Sequence, residues 1–237
     1  SSTGVLLTPG CLLRGSLDGL RQPWPLLARR IDDLPSGADA DLFVSDFGQA
    51  MGANSQYVII KVQFHEDERF NKKFLAKSTS DLGQTSLDSL KPVAGFKSIA
   101  RVLRAEAVSE KYFVWQDRVS GARDFTWKIY AKRMEDLLVP GAEFLVLDTN
   151  VLLQSGTYGS GGVELDLHGS LLVVQAAEHL GEDSPWGILL LDLEAPGERR
   201  FLARLEPGDG LFTLDWPAIS GDYAVWMSTP DFFTRTA

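Results

Sequence analysis

The architecture this sequence predicts is all-β, a β-propeller of four-stranded antiparallel blades with about four blade-equivalents in the chain. Three observations predict it. The first is recurrence: WKIYAKRMEDL (Trp127 to Leu137) is matched by WPLLARRIDDL (Trp24 to Leu34) at Trp, Ala, Arg, Asp and Leu. A weaker copy, KFLAKSTSDL, runs from Lys73 to Leu82, and a degenerate one, WGILLLDLEAPG, from Trp186 to Gly197. The second is a set of short β-branched and aromatic runs suited to buried strands, YVII at Tyr57, YFVW at Tyr112, LLVV at Leu171 and YAVW at Tyr223. The third is spacing. Tyr57 to Phe74, Tyr112 to Ile129 and Leu171 to Ile188 are each separated by 17 residues. A β-sandwich is the alternative architecture, but it needs no such constancy.

Taken in order, residues 1–19 have no fixed place in the repeat. From there the repeats run over roughly 20–53, 54–108, 109–168 and 169–218, with closing or extra strands in 219–237. Each YVII-type run is a strand b, preceded by an apolar residue and a polar turn such as Ala53-Asn54-Ser55-Gln56 or Ile219-Ser220-Gly221-Asp222. Strand a lies before that turn. VELDLHG (Val163 to Gly169) alternates as such a strand should, apolar at Val163, Leu165 and Leu167. The WKIYAKR-type run is strand c, and FLVLD (Phe144 to Asp148) illustrates strand d. Between b and c, HEDERFN (His65 to Asn71) and QDRVSGARD (Gln116 to Asp124) read as charged or Gly-containing loops. Successive b strands are about 52 to 59 residues apart, near the period of four-stranded propeller blades. A helical reading competes in two places. KSIARVLRAEAV (Lys97 to Val108) has Ile99, Val102 and Leu103 at helical spacing, and RQPWPLLARRIDDL can be drawn as an amphipathic helix. Register with the other repeats favours strands in both.

The 237 residues carry 44% apolar and 23% charged side chains, ordinary for a globular domain. A formal net charge of −9 argues against a nucleic-acid or anionic-membrane surface, which needs a basic patch, and first of all serves solubility. No run approaches the ~18 apolar residues of a membrane span. Cys11 is the only cysteine, so no internal disulfide can form. TPGCLL has the look of a lipidated cysteine, but no basic segment or long apolar run precedes it, and an ordinary half-buried thiol is expected.

ISGDYAVW (Ile219 to Trp226), YFVWQDRVSG (Tyr112 to Gly121) and WKIYAKRMEDL together resemble TolB-like β-propeller repeats, over roughly residues 20 to 237. Two departures are plain: the strand at Tyr57 has no Trp, and the Gly-Asp pair before strand b is complete only at Gly221-Asp222. The resemblance implies a propeller used for protein or glycan recognition, often outside the cytoplasm, or as the gate of a serine peptidase. It transfers no functional residue, since the matching positions carry the fold. Closure of the ring has two solutions. The C-terminal a and b strands can complete the blade that Trp24 to Asp46 begins, giving four blades and no open sheet edge. Alternatively the chain is half of an eight-bladed ring, shared by two chains or belonging to a longer one. If residues 5–14 (VLLTPGCLLR) are themselves strands a and b, the final pair is left over, as in part of a larger propeller.

No catalytic constellation stands out in the sequence. His65, His168 and His179 have no partner at a metal-ligand spacing; His168 falls in a turn and the other two in b-to-c loops. TYGSGGVELD (Thr157 to Asp166) lacks the lysine of a phosphate loop and precedes a strand, so it reads as a turn between blades. Ser160 within it does not fit a nucleophile elbow. Asp32-Asp33, Glu135-Asp136, Asp81 and Asp192 share one repeat position, which points to turn chemistry rather than acid–base work. HEDERF and HLGED (His179 to Asp183) lack the alternating carboxylates of a Ca²⁺ loop. Trp115 and Trp226 share a position on strand b, and Trp127 and Trp186 fall near the start of strand c, where they fill space between blades. Trp216, outside that pattern, is the one candidate binding residue. No catalytic residue, metal site or cofactor is expected. The expected function is a non-catalytic binding or scaffold module for a protein partner, with self-association as a further possibility and neither nucleic acid nor a membrane span involved. The alternatives are the propeller portion of a serine peptidase or other hydrolase, and a glycan-binding propeller.

Overall fold

A computed structural model describes residues 3–8, 11–16, 24–30, 40–45, 48–66, 69–81, 89–97, 106–120, 125–150, 164–177, 186–195, 197–205 and 212–230. Almost all of these are strand, arranged as four four-stranded antiparallel sheets and one hairpin. The chain divides into two compact units, 1–99 with 135–142, and 100–134 with 143–237.

In the first unit, β1 (Thr3–Thr8), β2 (Cys11–Ser16), β3 (Trp24–Arg30) and β4 (Ala40–Ser45) form one meander. A second contains β5 (Gly48–Ala53), β6 (Tyr57–Glu66), β7 (Arg69–Ser78) and β8 (Lys91–Lys97). The segment read as VLLTPGCLLR is thus a hairpin, β1–β2, joined to β3. Strand β3 has β2 on one edge and β4 on the other. Completion of this sheet by C-terminal strands is therefore not the pairing observed, because the N-terminal hairpin holds the edge that closure would use. Trp24 to Arg30 is strand and not helix, since its ladder to β2 and β4 satisfies the backbone that a helix would satisfy internally.

The second unit holds β9 (Glu106–Val108), β10 (Tyr112–Ser120), β11 (Phe125–Arg133) and β12 (Phe144–Asn150) as one meander. The next consists of β13 (Leu165–His168), β14 (Leu171–Ala177), β15 (Trp186–Asp192) and β16 (Arg199–Leu205). A two-stranded sheet follows, β17 (Phe212–Ser220) with β18 (Tyr223–Pro230). Residues 98–105, part of the competing helical segment, lie outside the described residues; its end, Glu106 to Val108, is strand.

Equal spacing in the sequence becomes equal register in the sheets. Tyr57 pairs with Ser78, Tyr112 with Arg133 and Leu171 with Asp192, the same separation each time. The ladder between strands c and d shifts register at one repeat position in all four sheets, Leu26/Leu27, Phe74/Leu75, Ile129/Tyr130 and Ile188/Leu189. A bulge repeated in this way is part of the unit, adding local twist to each sheet. The b-to-c connections are shorter than the charged loops expected from sequence. β6 and β7 run on to Glu66 and Arg69, and β10 and β11 to Ser120 and Phe125, because the cross-strand ladder continues past the apolar part of the strands.

The turn between strands a and b is built by two different chemistries. In the β5–β6 turn, Asn54 Oδ1 accepts from the Gln56 and Tyr57 amides at 2.9 and 2.8 Å. At the equivalent place Ser109 Oγ accepts from Lys111 and Tyr112 at 3.2 and 3.0 Å. The later turns replace the side-chain oxygen with a left-handed glycine, Gly169 (φ 60°) and Gly221 (φ 56°).

Packing in the second unit follows a rule that fixes what each face meets. Tyr112, Val114, Ile129 and Ala131 of one sheet interlock with Leu172, Val174, Leu189 and Leu191 of the next. These are opposite faces of the repeat: positions one and three of strand b on one side, two and four on the other. The reverse face of β14, with Val173 buried, looks toward β17, which lies along β13, β14 and β15. Polar stitches close the same seam. Ser109 Oγ donates to the Gly169 carbonyl at 2.8 Å, and Lys111 Nζ meets Glu194 Oε1 at 2.7 Å.

Candidate functional site

β18 has the alternation and residue types of a buried strand b and lacks the burial. At the third and fifth positions of β6, β10 and β14, Ile59 and Lys61, Val114 and Gln116, and Val173 and Gln175 are all buried. Val225 and Met227 occupy those positions and are 61% and 45% exposed. Trp115 is 4% exposed, stacked between Phe113 at 5.2 Å and its cross-strand neighbour Tyr130 at 5.9 Å. Its repeat equivalent, Trp226, is 38% exposed, because among the described residues no strand c lies beside β18 to supply the second ring. The expected filling of space by large aromatics therefore describes Trp115, while Trp226 and Tyr223 stand at the surface.

Across the hairpin, Trp216 stands opposite Trp226. The β17–β18 ladder shifts register between Asp215 and Ala218, leaving Trp216 and Pro217 as a bulge opposite Trp226. Trp216 has φ 57° and is 56% exposed, the one non-glycine residue with positive φ among those described. A bulky residue in that region is strained by about 1–3 kcal/mol. What holds it is Glu164, whose carboxylate accepts the Trp216 amide, and Asp166, which accepts the Ile219 amide at 2.8 Å. Sequence reasoning singled out Trp216 and missed these two acids. The signal was present in VELDLHG, where alternation puts Glu164 and Asp166 on the polar face. That face turns to the bulged backbone of β17.

The other chemistry-bearing residues are dispersed. His65 lies within β6 rather than in a loop, and His168 ends β13. His179, Asp32, Asp33, Ser160 and the HLGED segment lie outside the described residues. Asp192 behaves as a turn acceptor, its Oδ1 taking the Glu194 amide at 3.0 Å. Among the described residues no group of three or more His, Cys, Asp or Glu side chains is placed to hold a metal ion. Likewise no helix there is long and apolar enough to cross a membrane.

Among the described residues three lysines are buried, Lys61, Lys77 and Lys132, and the two deepest invite a catalytic reading, since a desolvated amine is a common nucleophile or base. Lys77 and Lys132 are almost wholly buried, and burial pushes the Lys77 amine below its ordinary value, an effect that Asp81 opposes. They hold the same repeat position, however. Lys77 Nζ donates to Ser89 Oγ at 3.1 Å, and Lys132 Nζ approaches Glu143 Oε2 at 3.5 Å, both partners lying just before a strand d. Recurrence assigns them to the fold: each ties strand c to the segment entering strand d.

No family model matches the chain, and no curated protein matches it. Fold and surface define a class: an all-β protein of repeated four-stranded meanders, with an exposed aromatic hairpin.

Proposed function

We propose that this chain is a non-catalytic binding module of the β-propeller type, akin to TolB-like propellers, which meets a protein partner through the β17–β18 hairpin. The observation that carries the reading is the exposure of Tyr223, Val225, Trp226 and Met227 at positions whose equivalents in β6, β10 and β14 are buried or half-buried. Tyr223, Val225 and Met227 share one face of the strand and Trp226 stands on the other. Exposed apolar surface of this kind marks an interaction site, and Trp and Tyr are the side chains that most often anchor one. The test compares proteins retained at physiological salt by the immobilised chain and by its Trp226→Ser variant. The reading requires a protein retained by the first and lost from the second. Equal retention by both sinks it.

Trp216 supports a second reading, glycan recognition, because an exposed indole held in a strained backbone is a stacking platform fixed in advance. Its test is a glycan array probed with the chain and with Trp216→Ala. A signal that survives the substitution removes Trp216 from the account.

A further inference from the structure

We infer that β16 is a recognition strand for an acidic polypeptide segment, a surface separate from the β17–β18 hairpin. Residues that recur from sheet to sheet serve the fold, so a departure from the repeat marks what one sheet does alone. The departure here concerns a base. Three sheets place it on strand c, opposite the second residue of strand b, at Arg29, Lys77 and Lys132. Lys77 and Lys132 are buried and tied to the segment entering strand d. The fourth sheet has a buried Leu191 at that position, and the base has moved across the ladder to its strand d partner, Arg199. Arg200 and Arg204 follow in the same strand, so three of the seven residues of RRFLARL are arginine, and all three are exposed.

Cross-strand pairing arranges these groups. Arg199, Phe201 and Arg204 stand opposite Leu191, Leu189 and Gly187, alternate residues of β15, and so share one face, with Arg200 on the other. Phe201 packs on the core cluster, and Arg204 Cζ lies 5.3 Å from the centre of its ring. Of the nearby acids, Glu194 is held by Lys111, while Glu198 is exposed next to Arg199. Protection of the strand from pairing is the other duty that charge performs in an outer strand. Yet β12, in the same outer place, carries no base and leaves Leu145 48% exposed, so the fold does not require arginine there. Arginine suits carboxylates, which its planar fork meets with two parallel hydrogen bonds. Charge also limits the length of the occupant. The chain carries −9 overall, so a long polyanion laid across it is repelled, whereas a short acidic segment meets only the basic strand.

The probe is a labelled decamer of glutamate, titrated into the full chain at low salt and followed by fluorescence anisotropy and amide exchange. We expect it to bind at least tenfold tighter than a glutamine decamer and to slow exchange along Arg199–Leu205, a readout that needs no variant. The chain carrying Arg199→Gln, Arg200→Gln and Arg204→Gln together should lose at least tenfold in affinity. Lys73→Gln with Lys91→Gln, at two exposed bases elsewhere, should lose less than twofold. Equal binding of the glutamine decamer, no binding, or protection appearing elsewhere would overturn the inference. The same loss in both variants would overturn it too, since the attraction would then be diffuse. A single-stranded oligonucleotide of equal charge that binds as tightly, and is lost with the same three arginines, would sink the choice of a polypeptide. Trp226→Ser is expected to leave peptide binding unchanged, so the basic strand and the hairpin stand or fall separately.

Discussion

Gln116 shows what the repeat costs a single residue. It sits at position five of strand b, is buried, and among the described residues neither its Oε1 nor its Nε2 has a hydrogen-bond partner. A buried amide without partners destabilises by about 1–3 kcal/mol. Met227 occupies the same position in β18, so an unbranched thioether suits the backbone there. Gln116→Met is expected to raise stability by about 1 kcal/mol in denaturant unfolding; a loss of stability would show that the amide is satisfied. The lysines give a pH dependence of opposite signs. Lys111, held above its ordinary 10.5 by its hydrogen bond to Glu194, stabilises the fold at every pH below 10.5, and that contribution disappears as pH rises through the folded value. Lys77, held below 10.5 by burial, opposes folding wherever it is protonated in the native state, and the penalty fades as pH climbs toward 10.5. Melting curves between pH 7 and 10.5 should show Lys77→Met stabilised most at pH 7 and converging on the parent at the alkaline end. A difference constant with pH would remove the charge from the explanation.

At the scale of elements, the tightest constraint is where β15 meets β16. A Cβ on Gly187 would lie 2.1 Å from the Ala203 carbonyl oxygen and 3.0 Å from Arg204 Cα, both backbone atoms that cannot swing aside. Gly187 stands one residue before the bulge position Ile188/Leu189, so the two strands approach too closely for a side chain. Gly187→Ala should cost about 2–4 kcal/mol, in the range of substitutions that force backbone apart. The readout is the midpoint of urea unfolding, and a shift equivalent to less than about 0.5 kcal/mol would contradict the geometry. Nothing in WGILLLD announces this, since a glycine in a strand motif only hints at a close approach or a bulge. By contrast the strand identity of WPLLARR and WKIYAKR was legible, because both keep repeat register with the other copies. The charged b-to-c segments misled for a physical reason: the backbone ladder does not stop where the side chains turn polar.

For the whole molecule, the stacking rule predicts a gradient of stability. β10 and β14 have a strand on each edge and are buried at their centres, whereas β18 has one strand neighbour and open side chains. Hydrogen exchange should therefore be slowest for the amides of Phe113 to Trp115 and Leu172 to Val174, and fastest, among the strands of the second unit, along Tyr223 to Met227. Uniform protection over these strands would mean that β18 is covered in solution.

Residue types and their spacing were enough to give the all-β class, the strand order within a repeat and the offset between strands b and c. These are local or near-local properties: residue type sets strand tendency, and a fixed hairpin length sets register. Spacing also pointed to Trp216 as an aromatic outside the repeat. Which strands share a sheet is settled by long-range pairing, since VLLTPGCLLR could pair with β3 or leave that edge to the C-terminal pair. The same pairing decided that Trp115 is core and Trp226 surface, though both follow the same pattern. Burial belongs to what lies on the neighbouring edge and face, and a repeat motif, identical in both places, carries no record of its neighbours.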